Sequence, residues 1–220
     1  PYYVGGFFDD RNMLVSTPTG VVRDPKFYLN AKGIVARTET EAIEINRKSK
    51  TVLVKDLKSG SEESLPYDKL IIAAGAIPKK PPIPGADLDG ITTLQSMQDA
   101  DYLRKIRDEK KITKAVVIGG GLIGIETCEA LELAGIEITV IEMLPQLLTF
   151  LDWEMAKLVE NHVRSKNANV ITDNGIAEFL GENGKLTGVK LQNGIELPCE
   201  LAVIAIGVTP NVSLAKEAGL

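Results

Sequence analysis

Three glycines and one glutamate near the middle of the chain have the spacing of a phosphate-binding turn. Gly119, Gly121 and Gly124 form the pattern G-x-G-x-x-G, and Glu142 follows 18 positions after the third glycine. The first glycine of such a motif permits a tight turn, the second lets the backbone approach a pyrophosphate, and the third lets a helix pack closely on a strand. The phosphates then face free N–H groups at the helix N-terminus. Glu142 would accept hydrogen bonds from ribose hydroxyls.

The elements around these residues decide what the motif means, because a short glycine string also occurs in purely structural strand–helix turns. Residues 114–118 form an apolar run typical of a strand, 122–134 are typical of a helix, and 137–142 predict a second strand that ends at Glu142. This context favours a dinucleotide site over a structural turn. Since the carboxylate would repel the additional phosphate of NADP, the pattern predicts NAD(H) rather than NADP(H).

The rest of the second half of the chain fits an α/β domain. The alternation of strand and helix predicts a parallel sheet, and Asn-Gly pairs are strong signals of antiparallel hairpins. Ser96 and Asp99 form a near capping box at the start of a predicted helix. The predicted elements are a helix at 96–110, a helix at 152–166, an antiparallel meander at 175–197 and a strand at 201–206.

The first half of the chain has a different pattern. Residues 33–46 and 50–57 alternate in polarity and are joined by a polar turn, so they predict a hairpin. Residues 67–78 predict a short buried strand. Residues 78–90 are dense in proline and glycine and predict a stiff linker. We therefore expect a domain boundary near residue 95.

Composition excludes several classes of function. The net charge is −5, which argues against a general nucleic-acid binder. The longest apolar runs, such as 201–208, are far shorter than the roughly 20 residues that cross a bilayer. Cys128 and Cys199 lie 71 residues apart, which favours reduced thiols and a cytoplasmic protein. A single histidine excludes a histidine-based metal cluster, so we predict no metal site.

Five stretches, in this order, resemble the pyridine nucleotide-disulfide oxidoreductases, which use a flavin and NAD(P). They are most similar to the single-cysteine branch of coenzyme A disulfide reductases and NADH oxidases. The stretches are PYYVGG (1–6), YDKLIIAAGAIPKKPPIPG (67–85), AVVIGGGLIGIE (115–126), TVIEMLPQLL (139–148) and LAVIAIGVTPN (201–211).

The resemblance implies an α/β fold with a doubly wound, Rossmann-like NAD(H)-binding domain that carries an antiparallel β-meander and is inserted into an FAD-binding domain. Residues 1–95 would be part of the FAD domain, 96–210 the NAD(H) domain, and 211–220 the start of the return to the FAD domain. The redox cysteine and the FAD glycine motif are expected upstream of Pro1. We therefore expect an internal fragment, opening without Met or a leader, with no catalytic residue, no bound FAD and no turnover of its own.

The resemblance also implies a reaction for the full-length protein, which would be a homodimer. Hydride would pass from NADH through FAD to a cysteine in a disulfide with coenzyme A, to a thiol-persulfide, or to oxygen or peroxide. Two alternatives stay open at this point. One is an electron-transfer flavoprotein of the ferredoxin-reductase type, and the other is a non-catalytic NAD-binding module.

Nine residues are predicted to bind the cofactor. Glu126 either complements the helix dipole in the first turn or lies near the nicotinamide. Gly207 either marks the passage of the backbone past the nicotinamide or is a strand-exit glycine. Many relatives have an aromatic residue at the position of Leu122, whose ring covers the nicotinamide pocket at the flavin. Leu122 cannot cover the pocket in the same way, so the sequence does not predict how, or whether, that pocket is gated. The full set is Gly119, Gly121, Leu122, Ile123, Gly124, Glu126, Glu142, Met143 and Gly207.

Other conspicuous residues have simpler interpretations. Cys128 and Cys199 are expected to be inert packed thiols. Phe27 matches the place where relatives approach coenzyme A, but a core aromatic is the preferred interpretation. The remaining expectations are a surface position for His162, a solvated helix end at 107–111, and packing rather than membrane contact for 143–153.

Overall fold

The structure is a computed structural model that describes residues 1–220. The helices are α1 (Tyr2–Gly5), α2 (Pro25–Lys32), α3 (Met97–Glu109), α4 (Leu122–Glu132), α5 (Trp153–Ser165) and α6 (Ser213–Glu217), with a 3-10 helix at Arg11–Val15. The strands are β1 (Thr40–Asn46), β2 (Thr51–Asp56), β3 (Glu62–Pro66), β4 (Ala76–Pro78), β5 (Ile91–Thr93), β6 (Lys114–Ile118), β7 (Glu137–Ile141), β8 (Asn169–Ile171), β9 (Ile176–Glu182), β10 (Lys185–Leu191), β11 (Glu196–Pro198), β12 (Leu201–Ile204) and β13 (Val208–Pro210).

The chain divides into two compact units. The first contains Pro1–Arg11 and Pro78–Val208, and the second contains Asn12–Ile77 and Thr209–Leu220. These limits differ from the boundary expected near residue 95, because the opening residues and the segment 78–90 lie with the first unit. No helix has the length and apolar character needed to span a membrane.

A five-stranded parallel sheet organises the first unit, in the order β5-β12-β6-β7-β8. Its central strands are apolar throughout because both faces are covered. Alternate side chains point to opposite faces, so Ala115 and Val117 join the core beneath α3, α4 and α5. Val116 and Ile118 join a second core on the other face.

That second core is covered by the antiparallel meander β11-β10-β9. Phe179, Val189 and Leu191 from the meander are almost fully buried there. The predicted α/β class with an antiparallel meander is therefore confirmed. In this arrangement the helices lie on one face of the parallel sheet, and the meander takes the place of a second helical layer.

The helices of this unit begin where the sequence predicts. The Oγ of Ser96 accepts a hydrogen bond of 3.1 Å from the N–H of Asp99, and the carboxylate of Asp99 accepts one of 3.0 Å from the N–H of Ser96. This reciprocal pair is a capping box. Arg104 extends from α3 to the carbonyl oxygens of Tyr3 and Phe8, which ties α1 to this helix.

The segment 78–90 is irregular, as predicted, but it is not a free linker. Its backbone bonds to the meander, since the N–H of Phe179 donates to Pro84 and the N–H of Leu186 donates to Asp89. Ile83 and Leu88 also pack against the second core. Proline and glycine prevent regular pairing here without preventing the segment from packing on a neighbour.

The second unit contains the antiparallel sheet β1-β2-β3 with α2 and α6. The predicted hairpin is confirmed as β1 and β2, although β1 begins only at Thr40. Its turn forms because the side chain of Asn46 accepts hydrogen bonds from the N–H groups of Lys48 and Ser49. The third strand was not predicted from the sequence, because β3 alternates weakly and is mostly exposed.

Two expectations for this unit are wrong. The predicted buried strand 67–78 does not form over residues 67–75, only 76–78 form the short strand β4, and Ile71 is 89% exposed. A strand needs neighbours for its N–H and C=O groups, and no strand pairs with this segment. Phe27 is half-buried and stacks edge-on with Tyr28, so it is not a core aromatic. Helix α2 has no buried residue because nothing in its unit covers it.

Candidate functional site

A cleft of about 790 Å³ lies along the carboxyl ends of the parallel strands. We call it the carboxyl-edge cleft. Most of its lining residues lie at the end of a parallel strand or just after it, which is the usual place for ligands in open α/β sheets. The segments that line it are Thr93–Gln95 after β5, Ile204–Val208 at the end of β12, Ile118–Ile123 after β6, Ile141–Leu144 after β7 and Asn174–Ile176 after β8.

Two of the motif glycines are required by packing. Gly119 has φ +110°, and a Cβ there would collide with the carbonyl oxygen of Ala205. A Cβ on Gly124 would collide with the carbonyl oxygen of Gly119. The helix α4 therefore approaches the end of β6 as closely as the third glycine of a dinucleotide motif allows.

The middle glycine has a different reason for lacking a side chain. A Cβ on Gly121 would meet no protein atom within 4 Å, and its backbone φ of −80° is ordinary. Neither packing nor conformation requires glycine at this position. The open space lies in the carboxyl-edge cleft at the start of α4, where Gly121 is the N-cap and no side chain caps the first N–H groups.

Glu142 faces the same loop from the end of β7. Its Oε2 accepts a hydrogen bond of 2.6 Å from the N–H of Gly120, and its Oε1 accepts one of 2.9 Å from the N–H of Leu144. The side chain is half-buried and held in one orientation. No other charged residue lines the cleft.

The remaining cofactor-binding residues predicted from the sequence divide into two groups. Leu122, Ile123, Met143 and Gly207 all line the carboxyl-edge cleft. Leu122 is 58% exposed there and Met143 is 66% exposed. Gly207 has φ +92° and open space where a Cβ would lie.

Glu126 is not among the lining residues. The helix begins at Leu122, which places Glu126 in the second turn rather than the first. Its side chain lies beside Pro1 and Tyr2, in a small pocket away from the carboxyl-edge cleft. The first-turn role is therefore wrong, because the helix starts later than the motif alone implies, and the suggested place near the nicotinamide stays a prediction.

Polar residues that the sequence did not single out also line the cleft. They are Thr93, Gln95, Thr149, Asn174 and Gln192. Asn174 is the most buried of them, with 7% of its surface exposed, and Thr93 follows with 8%. The signal that could have found it is its place three residues after β8, since polar residues at carboxyl ends of parallel strands point to a site.

The comparison with known proteins agrees with this geometry. Residues 10–220 match the family described as pyridine nucleotide-disulphide oxidoreductase. The chain belongs to that family. The family resemblance expected from the five sequence stretches is thus confirmed over almost the whole chain.

Two relatives of this chain have names that refer to nicotinamide cofactors. An NADH oxidase of Methanocaldococcus jannaschii is 33% identical over 200 residues, which are 90% of this chain and 44% of the relative. An NAD(P)H coenzyme A polysulfide/persulfide reductase of Pyrococcus horikoshii is 31% identical over 222 residues, or 100% of this chain and 46% of the relative.

A solved structure is similar over the whole chain. An NAD-dependent persulfide reductase from A. fulgidus superposes with a TM-score of 0.93 and 43% sequence identity, covering 100% of this chain and 40% of that one. The chain spans less than half of the length of each of these three relatives.

The two cysteines lie outside the cleft. Cys128 is 3% exposed and Cys199 is 2% exposed, each within one of the two cores. Burial raises the pKa of the Cys128 thiol to about 12, and burial raises the pKa of the Cys199 thiol to about 12 as well. Both thiols stay protonated near neutral pH and are poor nucleophiles, in agreement with the sequence prediction.

Segment 143–153 is only partly packed. Leu147 and Leu148 are buried, as predicted, but Phe150 and Trp153 are largely exposed. The tight turn between β7 and α5 can direct only some of its apolar residues inward.

Two further predictions concern the surface. His162 is exposed on α5, and residues 107–111 end α3 at the surface, as predicted.

A second depression, of about 500 Å³, lies at the opposite, amino edge of the sheet. Arg164 lines it together with Glu137 and Asn169. The guanidinium of Arg164 already donates three hydrogen bonds, to Glu160 and to the carbonyl of Val170, which leaves only its Nη1 hydrogens for a ligand. The carboxyl-edge cleft is the better candidate site.

Proposed function

We propose that this chain is the NAD(H)-binding portion of a flavin-dependent oxidoreductase. The observation that carries the proposal is Gly121, whose missing side chain leaves open space at an uncapped helix N-terminus beside Glu142. Structural packing accounts for the other two motif glycines but not for this one. A ligand that needs the space accounts for it.

The residues present fit a dinucleotide. The start of α4 offers uncapped N–H groups and the positive end of the helix dipole to a pyrophosphate. Glu142 has one bond on each oxygen and keeps lone pairs for the two hydroxyls of a ribose. Leu122, Ile123 and Met143 offer apolar surface to the rings, and Gly207 leaves the backbone open beside them.

The cleft favours NAD(H) over NADP(H). A 2′-phosphate needs a cation, and no lysine or arginine lines the cleft. The only charge available is the carboxylate of Glu142, which repels a phosphate. Preference for the unphosphorylated cofactor therefore follows from both the missing attraction and the added repulsion.

The chemistry of the whole protein is part of the same proposal. NAD(H) supplies a hydride when bound, and this chain would hold and orient it. FAD, a redox cysteine and the electron acceptor would belong to the full-length protein, in keeping with relatives named as NADH oxidase and persulfide reductase. A disulfide, a persulfide or oxygen is the proposed acceptor. We place the protein in the cytoplasm as a homodimer.

The proposed domain roles follow from this function. Residues 96–210 would bind NAD(H), 1–95 would belong to an FAD domain, and 211–220 would begin the return to it. The compact units support an FAD domain made of two separate stretches of the chain, because Thr209–Leu220 groups with Asn12–Ile77.

Calorimetric titration with NADH and NADPH tests the cofactor assignment. We expect NADH to bind more tightly than NADPH by about tenfold or more, because the 2′-phosphate of NADPH replaces a hydroxyl that would donate a hydrogen bond to the Glu142 carboxylate. Binding of NADH weaker than about 1 mM, with no preference over NADPH, would remove the basis of the proposal.

The electron acceptor is tested in the full-length protein. NADH consumption is measured with coenzyme A disulfide, a persulfide, oxygen and a ferredoxin in separate assays. Turnover with the ferredoxin alone would favour an electron-transfer reductase instead.

A further inference from the structure

The carboxyl-edge cleft contains one buried amide that has no hydrogen-bond partner within the chain. Five polar residues are buried in the structure, and four of them use their side chains. These four are Thr92 with the carbonyl of Thr93, Thr93 with Asp99, Thr127 with the carbonyl of Ile123, and Glu160 with Lys157 and Arg164. The fifth is Asn174, whose side chain makes no hydrogen bond to the protein.

Asn174 is fixed at the wall of the cleft by its backbone. Its N–H donates to the carbonyl oxygen of Glu142 at 3.2 Å, and the carbonyl of the next residue, Gly175, accepts from Gln192 at 2.9 Å. With only 7% of the residue exposed and no polar atom sealed from solvent, the amide reaches solvent through the cleft that it lines.

Because the Asn174 amide has no partner in the protein and reaches the cleft, its donor and its acceptor are available to a molecule that enters the cleft and displaces water. Ile141 and Ile176 line the same cleft and offer no polar side chain, and the polar side chain of Gln192 on that cleft makes no hydrogen bond to Asn174. A ligand that brings a hydrogen-bonding edge to this wall would replace water as the partner of the amide. The feature is therefore explained by a bound partner better than by packing.

The chemistry of the amide restricts that partner. Its oxygen accepts and its nitrogen donates in one plane, which matches a heterocycle that presents a donor next to an acceptor. Adenine offers this pair through its 6-amino group and an adjacent ring nitrogen, and asparagine is a common partner for it. A phosphate would suit the amide less, because it has no donor to offer the oxygen.

We propose that Asn174 is the residue that recognises the adenine base of the bound dinucleotide. This inference rests on the proposed function, since it takes the ribose to be held by Glu142. The base is attached to that same ribose, and Asn174 is joined to Glu142 by a backbone hydrogen bond. The oxygen of the amide accepts from the 6-amino group, and the nitrogen donates to the ring nitrogen beside it.

Calorimetry with ADP-ribose and with its purine analogue, in which hydrogen replaces the 6-amino group, tests the proposal. Neither probe contains nicotinamide, so the flavin end of the reaction does not enter. The wild-type protein is expected to bind ADP-ribose about tenfold more tightly than the analogue, as for one hydrogen-bonded pair. In Asn174→Leu this preference is expected to vanish, and ADP-ribose binding falls to the level of the analogue.

Two variants keep the result decisive. Gln192→Leu makes the same change at an exposed amide on the same cleft and is expected to keep the preference. Asn174→Ala removes the amide without adding bulk and is expected to behave like Asn174→Leu. Thermal unfolding of the free variants is compared as well, and neither change at Asn174 is expected to lower the unfolding temperature, because no hydrogen bond of the free protein is lost.

The outcomes separate this inference from the proposed function. If wild-type protein binds ADP-ribose, and Glu142→Ala weakens that binding, the proposed function stands. If the preference for the 6-amino group then persists in both Asn174 variants, or is lost only in Gln192→Leu, Asn174 does not recognise the base. If wild-type protein binds neither probe, both proposals fail together.

Discussion

The carboxylate of Glu142 accepts a hydrogen bond of 2.6 Å from the backbone N–H of Gly120, so the strand end and the glycine loop are joined directly. The second oxygen is held by the N–H of Leu144 at 2.9 Å. These bonds fix the side chain before any ligand arrives, and a fixed acceptor loses little conformational entropy on binding. The two halves of the sequence motif therefore act as one unit.

Replacing Glu142 with alanine is expected to relax cofactor preference. The variant loses the proposed acceptor for ribose hydroxyls and the charge that repels a 2′-phosphate. We expect NADH to bind about tenfold more weakly while NADPH binds as well as before or better. Glu137→Ala is the matched control, because that carboxylate lies at the other end of β7 and its ion pair with Lys114 is exposed. Equal losses for both cofactors would show that Glu142 acts only on the fold.

The motif glycines are expected to separate stability from binding. Gly124→Ala forces a Cβ against the carbonyl oxygen of Gly119, so we expect the free energy of unfolding to fall by roughly 2 kcal/mol. Gly121→Ala meets open space, so unfolding should change by less than about 0.5 kcal/mol while NADH binding weakens at least tenfold.

Chemical denaturation and NADH titration of the two glycine variants are measured side by side. A Gly121→Ala protein that binds NADH normally would contradict the assignment of the open space to a pyrophosphate. A Gly124→Ala protein of unchanged stability would show that α4 can move away from β6 at no cost.

The two thiols are expected to link stability to alkaline pH. Burial raises the pKa of Cys128 and of Cys199 to about 12 from an ordinary value of 9.0. Below pH 9 both thiols are protonated in the folded chain and in the unfolded chain, so the free energy of unfolding does not depend on their titration. As pH rises from about 9 to about 12 only the unfolded chain ionises, so the free energy of unfolding falls.

Denaturation at stepped pH measures that slope, and Cys128→Ala with Cys199→Ala is expected to flatten it. Thiol titration gives an independent check. Neither cysteine should react with a disulfide reagent at pH 8 in the folded protein, and both should react after unfolding. Rapid reaction of one thiol in the folded state would contradict its burial.

The capping box of α3 is expected to lose its contribution in acid. Although burial alone would raise the pKa of Asp99, hydrogen bonds from the N–H groups of Ser96 and Gln95 and from the side chains of Ser96 and Thr93 lower it from 3.8. The stabilisation is therefore complete above the unfolded pKa of 3.8 and is lost as pH falls through the lower folded value. Ser96→Ala should cost about 1 kcal/mol at pH 7.

The test of the capping box is urea denaturation between pH 2 and pH 7. Wild-type protein should lose more stability over this range than Asp99→Ala, which has no carboxylate left to protonate. Gln98→Ala, at an exposed neighbouring position, serves as the control. An identical acid slope in wild-type protein and in Asp99→Ala would show that this carboxylate is not the group that titrates.

Much of the first unit could be predicted from the sequence, because its signals are local. Ser96 and Asp99 mark the start of α3, and the apolar run 114–118 coincides with β6. Gly119, Gly121 and Glu142 line one cleft and Gly124 packs on Gly119, because a strand, a tight turn and a helix leave their relative positions few alternatives.

The features that the sequence did not predict depend on distant parts of the chain. Residues 70–75 have the composition of a strand, but pairing needs a neighbouring strand that composition does not reveal. Asn174 lies 32 positions after Glu142 and meets it only when β8 lies beside β7. Glu126 was assigned to the wrong turn because the start of α4 depends on where the glycine loop ends.

The absence of lysine and arginine from the carboxyl-edge cleft has a consequence for ionic strength. A pocket that holds phosphates by cations loses affinity as salt screens the attraction. Here the long-range force between a protein of net charge −5 and an anionic ligand is a repulsion, and the bonds that hold the ligand are short-range. Added electrolyte weakens only the repulsion, so dinucleotide capture by this protein should withstand a concentrated salt solution or improve slightly in it.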